Sequence, residues 1–196
     1  VYHWGFHPWL ISLADTAVYE ANLHSNVEIE VLDAEGDDNK MGQMIDDFIA
    51  KQMDAIIQLQ PDILAFQEVT SNSIDIIRKK LSASYANIVD SLDLVRDKSL
   101  LVGPRRYGVL IASNYKIQTL NPKLFDIPWQ ERVLSVNVHH PKEIIEFHTA
   151  YIPPGSTNRW KKIETLEGIY KRLAVQTDTK RILCGDFNTP QDELVQ

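Results

Sequence analysis

The sequence predicts an α/β fold, because helical and strand-like segments alternate along the chain. Residues 41–59 and 158–175 carry apolar side chains at helical spacing, which is typical of helices with one buried stripe. Residues 133–138 alternate between apolar and polar side chains, which predicts a strand with one apolar face. Residues 182–184 form a continuous apolar run before a glycine, which predicts a strand buried on both faces.

The composition is that of an ordinary globular protein. The 196 residues are enough for one domain with a sizeable core, so we expect a single domain over residues 1–196. An apolar share of 44% and a charged share of 24% fit this class, and no apolar run approaches the ~18 residues of a membrane span. The one cysteine excludes an internal disulfide framework and gives no signal of compartment, so a cytoplasmic location is only the default expectation.

The net charge of −7 argues against a generally basic surface for nucleic acid. It leaves room for local contacts with phosphate. Candidate basic clusters lie at residues 78–80, 105–106, 159–162 and 171–172. The alternative is that each cluster is simply a solvated face.

The first half of the chain predicts a loop, two helices and several strands. Residues 33–40 are acidic and contain glycine, which is typical of an exposed loop. The helix over 41–59 ends before Pro61, and a strand leads to Glu68. A helix over 71–81, capped by Ser71 or Ser73, follows. Further short strands are predicted at residues 86–89, 107–112 and 116–120.

The amino-terminal segment, residues 1–26, is rich in aromatic residues without a clear period. We interpret it as an aromatic packing cluster. His3 and His7 are four residues apart and could share a helix face as metal ligands, but no third ligand accompanies them.

The second half predicts a hairpin and a helix. His139 and His140 are expected in the turn, next to Pro141, and residues 144–152 return as the partner strand. The helix over 158–175, for which Asn158 is a candidate cap, has a predicted inward stripe of Ile163, Leu166, Ile169, Tyr170 and Leu173.

A carboxylate and a carboxamide follow the apolar run at 182–184. Gly185 allows another backbone to approach closely. If the chain stays extended, Asp186 and Asn188 point to the same side. An anionic acceptor beside a neutral donor suits a hydrated metal and a phosphate. The alternative is an Asx turn, in which the two residues serve the backbone.

Three segments together carry a resemblance to a known family. Residues 61–69 (PDILAFQEV), 148–155 (HTAYIPPG) and 185–190 (GDFNTP) resemble the endonuclease/exonuclease/phosphatase superfamily, which includes exonuclease III-type abasic-site endonucleases and deoxyribonuclease I. Residues 107–113 and the pair Glu131–Arg132 are also similar to family features. The resemblance implies a four-layer α/β sandwich of two packed mixed sheets flanked by helices.

The resemblance also implies roles for four residues. Glu68 would bind Mg2+, with Mn2+ as an alternative, because a hard carboxylate suits an ion that keeps most of its waters. Asp186 would orient or deprotonate the attacking water, or bind metal as well, and Asn188 would donate to the phosphate. Tyr151 would contact the phosphate or shelter the leaving group. His148 lies on the opposite face of an ideal strand and would replace Tyr151 only if the register were shifted.

The chain also departs from the family pattern. It lacks the Trp-Asn pair of the family's first strand and the Ser-Asp-His segment near its end. We therefore expect a fold that is incomplete at both ends, belonging to a truncated piece of a larger enzyme.

These observations lead to one leading hypothesis and two alternatives. The first is a Mg2+-dependent phosphodiesterase, a nuclease of the exonuclease III or abasic-site endonuclease type, acting on DNA or another phosphodiester as a monomer. The second is a phosphatase or lipid phosphodiesterase with the same site. The third is a non-catalytic binding module that retains the fold.

Overall fold

The computed structural model describes residues 38–158 and 160–189. By its contacts the chain divides into two compact units, Val1–Gln52 and Met53–Gln196. The aromatic amino-terminal segment with His3 and His7 lies outside the described residues, so its predicted packing stays a prediction. Within the described ranges, no helix is long and apolar enough to cross a membrane.

The described residues form helices and strands whose order alternates as predicted. In chain order they are α1 (Asp38–Gln58), β1 (Ile63–Val69), α2 (Ile74–Leu81), β2 (Asn87–Asp90), α3 (Ser91–Leu94), β3 (Gly108–Ser113), β4 (Ile117–Thr119), β5 (Val133–His140), β6 (Glu143–Tyr151), α4 (Gly155–Asn158), α5 (Trp160–Leu173) and β7 (Lys180–Asp186). Short 3-10 turns lie at Lys98–Leu100, Gly103–Arg106, Pro122–Leu124 and Gln130–Arg132.

The strands form two sheets. The first has the order β1-β3-β2 and is antiparallel, and the second has the order β4-β5-β6-β7 and is mixed, because β6 and β7 run parallel. A shared apolar cluster joins Val109 and Ile111 of the first sheet to Leu134 and Val136 of the second. The predicted α/β sandwich of two packed sheets is confirmed, although among the described strands only the second sheet is mixed.

Helix α5 covers the other face of the second sheet. Its Ile169 packs in a cluster with Ala150 and Val133. The predicted inward stripe is partly wrong, since Ile163 is 50% and Tyr170 is 73% exposed. The helix is rotated relative to the predicted orientation, because its closest approach to the neighbouring backbone is at Gly168. A Cβ added there would lie 2.3 Å from the carbonyl oxygen of Asp126.

Several predicted boundaries are also wrong. Helix α1 begins at Asp38, inside the predicted loop. Strand β5 continues through His139 and His140, because Pro141 and Lys142 alone make the turn and the ladder extends to the His140–Glu143 pair. Ser73 occupies the cap position of α2 without capping the helix with its side chain.

Strand β7 is less buried than predicted. In the described part of the second sheet it lies at one edge, and Ile182 is 43% exposed. Its parallel pairing with β6 places Ala150 opposite Gly185 and Tyr151 opposite Asp186. A Cβ at position 185 would lie 1.9 Å from the carbonyl oxygen of Ala150, so the close approach requires glycine, as predicted.

Replacing Gly185 should therefore disrupt this edge of the sheet. Gly185→Ala should lower the free energy of unfolding by about 3 kcal/mol or more, since the new methyl meets backbone and φ is +139°. Gly42→Ala is the control, because that glycine has open space around it and lies within a helix, where alanine stabilises by up to about 1 kcal/mol. Urea denaturation of both variants measures the difference, and equal stability of the two would contradict the assignment.

Candidate active site

Glu68 lies on a bulge at the end of β1. Phe66 pairs with Leu110 and Val69 with Gly108, so β1 carries one residue more than β3 between these pairs. The φ angle of Glu68 is 59°, a left-handed conformation that costs a non-glycine residue about 1–2 kcal/mol. Bulges re-aim side chains, and the Glu68 side chain is exposed. A strained backbone thus holds a carboxylate outward at the sheet edge.

Tyr151 connects this carboxylate to the second sheet. Its ring packs in the apolar cluster between the sheets, its hydroxyl lies near the Glu68 carboxylate, and beside it Gln67 Nε2 donates to Thr149 Oγ1 over 2.9 Å. Burial and then the Glu68 carboxylate raise the pKa of Tyr151. The hydroxyl therefore stays protonated and remains a hydrogen-bond donor at neutral pH.

Arg132 lies beneath these two residues and is 1% exposed. Its guanidinium carbon is 4.2 Å from the centre of the Tyr151 ring and 5.4 Å from that of Trp129, which is cation–π geometry. Nη2 donates to the carbonyl of Pro104, whereas Nε and Nη1 have no hydrogen-bond partner among the described residues. Burial lowers the pKa of Arg132, and the nearby Tyr151 and carboxylates oppose this effect. Arg132 therefore places a buried positive charge beneath the Tyr151 ring, with two of its donors enclosed by the described residues.

The sequence pattern gave Arg132 no role of its own. The pair Glu131–Arg132 was noted only as similar to a family feature. The available signal in the sequence was that a charged pair stands immediately before an apolar strand. Charged side chains are seldom fully buried without a specific partner, so a charged pair next to the core suggests such a contact. The side chain of Glu131 is itself buried and accepts two bonds from Arg105.

Asp186 and Asn188 adopt the Asx turn, and the prediction of an extended path is wrong. Asn188 has a φ of 48°, and its backbone N donates to Asp186 Oδ1 over 2.8 Å. Its Nδ2 donates to the carbonyl of Ile152 over 2.7 Å. The turn leaves the second carboxylate oxygen of Asp186 and one amide N–H of Asn188 for other partners. Asp186 is exposed, and Tyr151 is its neighbour on β6.

Most described members of the basic clusters are held by other groups. Lys162 Nζ donates to the carbonyl of Asn188 over 2.6 Å, which supports the turn described above. The other contacts are ion pairs, namely Arg78 with Asp90 and Asp93, Lys80 with Asp54, Arg105 with Glu131, Lys161 with Glu164, Lys171 with Glu167, and Arg172 with Glu146. Arg159 lies outside the described residues.

His148 is on the far face of β6 from Tyr151. It is fully buried, packs edge-on against Phe125, and its Nδ1 is 2.7 Å from Ser135 Oγ. Its Nε2 lies 3.1 Å from Glu146 Oε1, without hydrogen-bond alignment. The register is the unshifted one, so His148 does not take the place of Tyr151.

Carboxylates are the candidate metal ligands at this edge of the sandwich. Among the described residues, no three His, Cys, Asp or Glu side chains come together as a complete ligand set. Mg2+ does not need such a set, since it keeps several waters and binds one or two carboxylates. Glu68 is exposed on β1 and Asp186 ends β7, and these two strands are in contact. These carboxylates fit a largely hydrated ion.

The groups at this edge of the sandwich fit the class of phosphoric ester hydrolases. They are an exposed carboxylate, a tyrosine hydroxyl, a buried guanidinium and an Asp–Asn turn. The family model of the endonuclease/exonuclease/phosphatase family matches residues 35–195, and the chain belongs to this family. Enzymes of the family are phosphoric ester hydrolases that generally use divalent metals.

Solved structures show the same fold. The chain is 14% identical to D. rerio TDP2 complexed with a single-strand DNA product, over 73% of this chain and 54% of that one, with a TM-score of 0.54. For C. elegans TDP2 the identity is 15%, the shares are 79% and 46%, and the TM-score is 0.52. The chain is 13% identical to a β-hairpin deletion mutant of Staphylococcus aureus beta toxin, over 74% of this chain and 62% of that one, with a TM-score of 0.53. The chain thus spans about half of these proteins. A comparison with curated proteins finds no match.

The buried histidine should make stability depend on pH. Burial lowers the pKa of His148 to about 4, and the cations Arg172 and Arg181 add to this effect while Glu146 opposes it. The unfolded chain, with a histidine pKa near ~6.5, takes up the proton first. Stability is therefore complete above about pH 6.5 and falls by about 2–3 kcal/mol as the pH drops toward 4.

This dependence is measured by urea denaturation of the wild type and His148→Gln between pH 8 and 4.5. The free energy of unfolding of the wild type should fall more steeply below pH 6.5, because the variant lacks the titrating ring. Other groups titrate equally in both proteins. Parallel curves would show that His148 does not carry the effect.

The strain at Glu68 gives a second prediction. Glu68→Asn should be more stable than Glu68→Gln by about 1 kcal/mol, because asparagine tolerates the left-handed conformation. Gln60 is the control, since it is exposed with a φ of 48°, and Gln60→Asn should gain a similar amount over the wild type. If the control gains stability while the two Glu68 variants unfold alike, the bulge is not strained.

Proposed function

We propose that this chain is a Mg2+-dependent phosphodiesterase that hydrolyses nucleic acid, of the exonuclease III or abasic-site endonuclease type. The observation that carries the proposal is Glu68, an exposed carboxylate in a strained left-handed conformation near the Tyr151 hydroxyl. Such outliers persist where the surrounding structure over-determines them, and they concentrate at active sites.

In this proposal each residue of the candidate site has its own role. Glu68 would hold the metal ion, with Asp186 as a second carboxylate, and a bound ion would supply charge neutralisation and a more acidic water. The free oxygen of Asp186 accepts a proton from, or orients, the attacking water. The remaining amide N–H of Asn188 donates to a phosphoryl oxygen, where negative charge develops, and the buried Arg132 adds a positive charge beneath Tyr151. The protonated Tyr151 hydroxyl orients Glu68 and shelters the leaving oxygen.

Two observations favour nucleic acid among phosphodiesters. The residue at the end of β6 is Tyr151, and the family's nuclease branch tends to have tyrosine there, where several phosphatase and sphingomyelinase branches have histidine. The D. rerio TDP2 structure holds a single-strand DNA product, and its fold is similar to that of this chain.

The test is a Mg2+ titration of nicking on a duplex with one abasic site. Glu68→Gln and Asp186→Asn should each lower kcat by about 100-fold or more, because each removes a charge from the site while keeping the shape of the side chain. Asp75→Asn is the control, since Asp75 is an exposed carboxylate on α2. Its rate should equal that of the wild type.

Other outcomes would replace the proposal. Hydrolysis of an inositol polyphosphate without nicking of the duplex would assign the site to a phosphatase. If calorimetry detects no Mg2+ binding and both substrates remain intact, the chain is a binding module with this fold.

A further inference from the structure

The turn Gly103–Arg106 enters β3 beside the candidate site and is fastened at two points. The carbonyl of Pro104 accepts a hydrogen bond from Nη2 of the buried Arg132. Arg105 makes two bonds to the buried Glu131 carboxylate, from Nε over 2.7 Å and from Nη2 over 2.8 Å. Bidentate guanidinium–carboxylate pairs fix geometry as well as adding energy. The backbone that carries the next residue, Arg106, is therefore held in place.

Arg106 differs from its neighbour because no carboxylate of the described residues pairs with it. Its side chain is exposed, and its guanidinium carbon lies 4.7 Å from the centre of the Tyr107 ring. Nη2 donates to the Tyr107 hydroxyl over 2.5 Å. A guanidinium carries five N–H donors, so most of its donors remain for an external anion. Stacking on the ring limits the conformational freedom that binding would otherwise remove.

Tyr107 also links Arg106 to the reacting groups. Its ring meets the Tyr151 ring edge-on, with centroids 6.1 Å apart, and Arg132 lies 5.7 Å from its centre. Arg106 is thus separated from Tyr151 by a single aromatic ring. A phosphate held by Arg106 would therefore be a different group from the phosphate that Glu68 and Asn188 would engage.

We propose that Arg106 binds a second backbone phosphate next to the one that is cleaved, so that this site selects polynucleotides over isolated phosphodiesters. The inference rests on the proposed function. Phosphate is the anion that matches the planar fork of arginine and repeats along the substrate. The net charge of −7 makes such a local cation necessary, because the whole-protein field does not attract a polyanion.

The kinetic test compares a 12-nucleotide single-stranded DNA with thymidine 5′-p-nitrophenyl phosphate, which has one phosphodiester and no neighbouring phosphate. Arg106→Ala should lower kcat/KM about tenfold on the oligonucleotide, mainly through KM, and leave the small substrate unchanged. Arg106→Lys should recover part of the loss, because it keeps the charge without the fork. Lys142→Ala removes an exposed cation in the turn between β5 and β6, at the end of β6 away from Tyr151, and should match the wild type on both. Equal effects of Arg106→Ala on both substrates, or none on either, would overturn the inference.

A binding measurement separates failure of this inference from failure of the proposed function. In EDTA, fluorescence anisotropy of the labelled oligonucleotide gives the dependence of log K on log salt concentration. Arg106→Ala should reduce the magnitude of this slope by about 1, as expected for one lost phosphate contact, whereas Lys142→Ala should not. An unchanged slope would overturn the inference even if the protein is a nuclease. A reduced slope without hydrolysis of either substrate would retain the phosphate contact and reject the proposed catalysis.

Discussion

The parallel pairing of β6 with β7 is the constraint on which the candidate site depends. It places Asp186 beside Tyr151, and it is possible only because Gly185 has no side chain where the Ala150 carbonyl lies. The same register puts Ile152 N within 2.8 Å of the Asp186 carbonyl, and Asn188 returns a bond to Ile152. One glycine therefore fixes the position of two polar residues that follow it.

A buried guanidinium is the second organising feature. Arg132 contacts the Tyr151 and Trp129 rings and also holds the Pro104 carbonyl. Removing a charge from water costs free energy unless the hydrogen-bond donors of the charged group find partners. Two nitrogens of Arg132 have no partner among the described residues. The neighbouring Glu131 has its own partner in Arg105. Of the Glu131–Arg132 pair, only Arg132 thus keeps donors without a partner, and it lies against the Tyr151 ring.

The fold class and the order of elements could be predicted because they depend on local periodicity. The side chains of β5 alternate between apolar and polar, and those of α1 form an apolar stripe. The predicted bounds of both elements therefore differ from the observed ones by only a few residues. The exposure of Tyr170 could not be predicted, because the rotation of α5 is set by the contact of Gly168 with Asp126, which is distant in sequence. Hydrophobicity alone does not identify the residue that permits the closest approach.

The site could be predicted in composition but not in geometry. Glu68, Tyr151, Asp186 and Asn188 were selected because their segments resemble the family, and their catalytic roles are proposals. The left-handed conformations of Glu68 and Asn188 were missed, because glutamate has no preference for that region and the turn alternative for asparagine was not separable from an extended path. The environment of Arg132 depends on aromatic residues from three separate segments, so no local pattern reveals it.

The two carboxylates of the candidate site belong to different sheets, with Glu68 on β1 and Asp186 at the end of β7. The hydrogen bond between Gln67 and Thr149, 82 residues apart in the chain, fastens the sheets together beside them. Contacts of such sequence separation form late, because loop closure must come before they stabilise the chain. Neither sheet alone can hold both carboxylates in place. The pair of carboxylates therefore comes together only after the sheets have docked, so recovery of the Mg2+ binding that we propose would report on that docking during refolding.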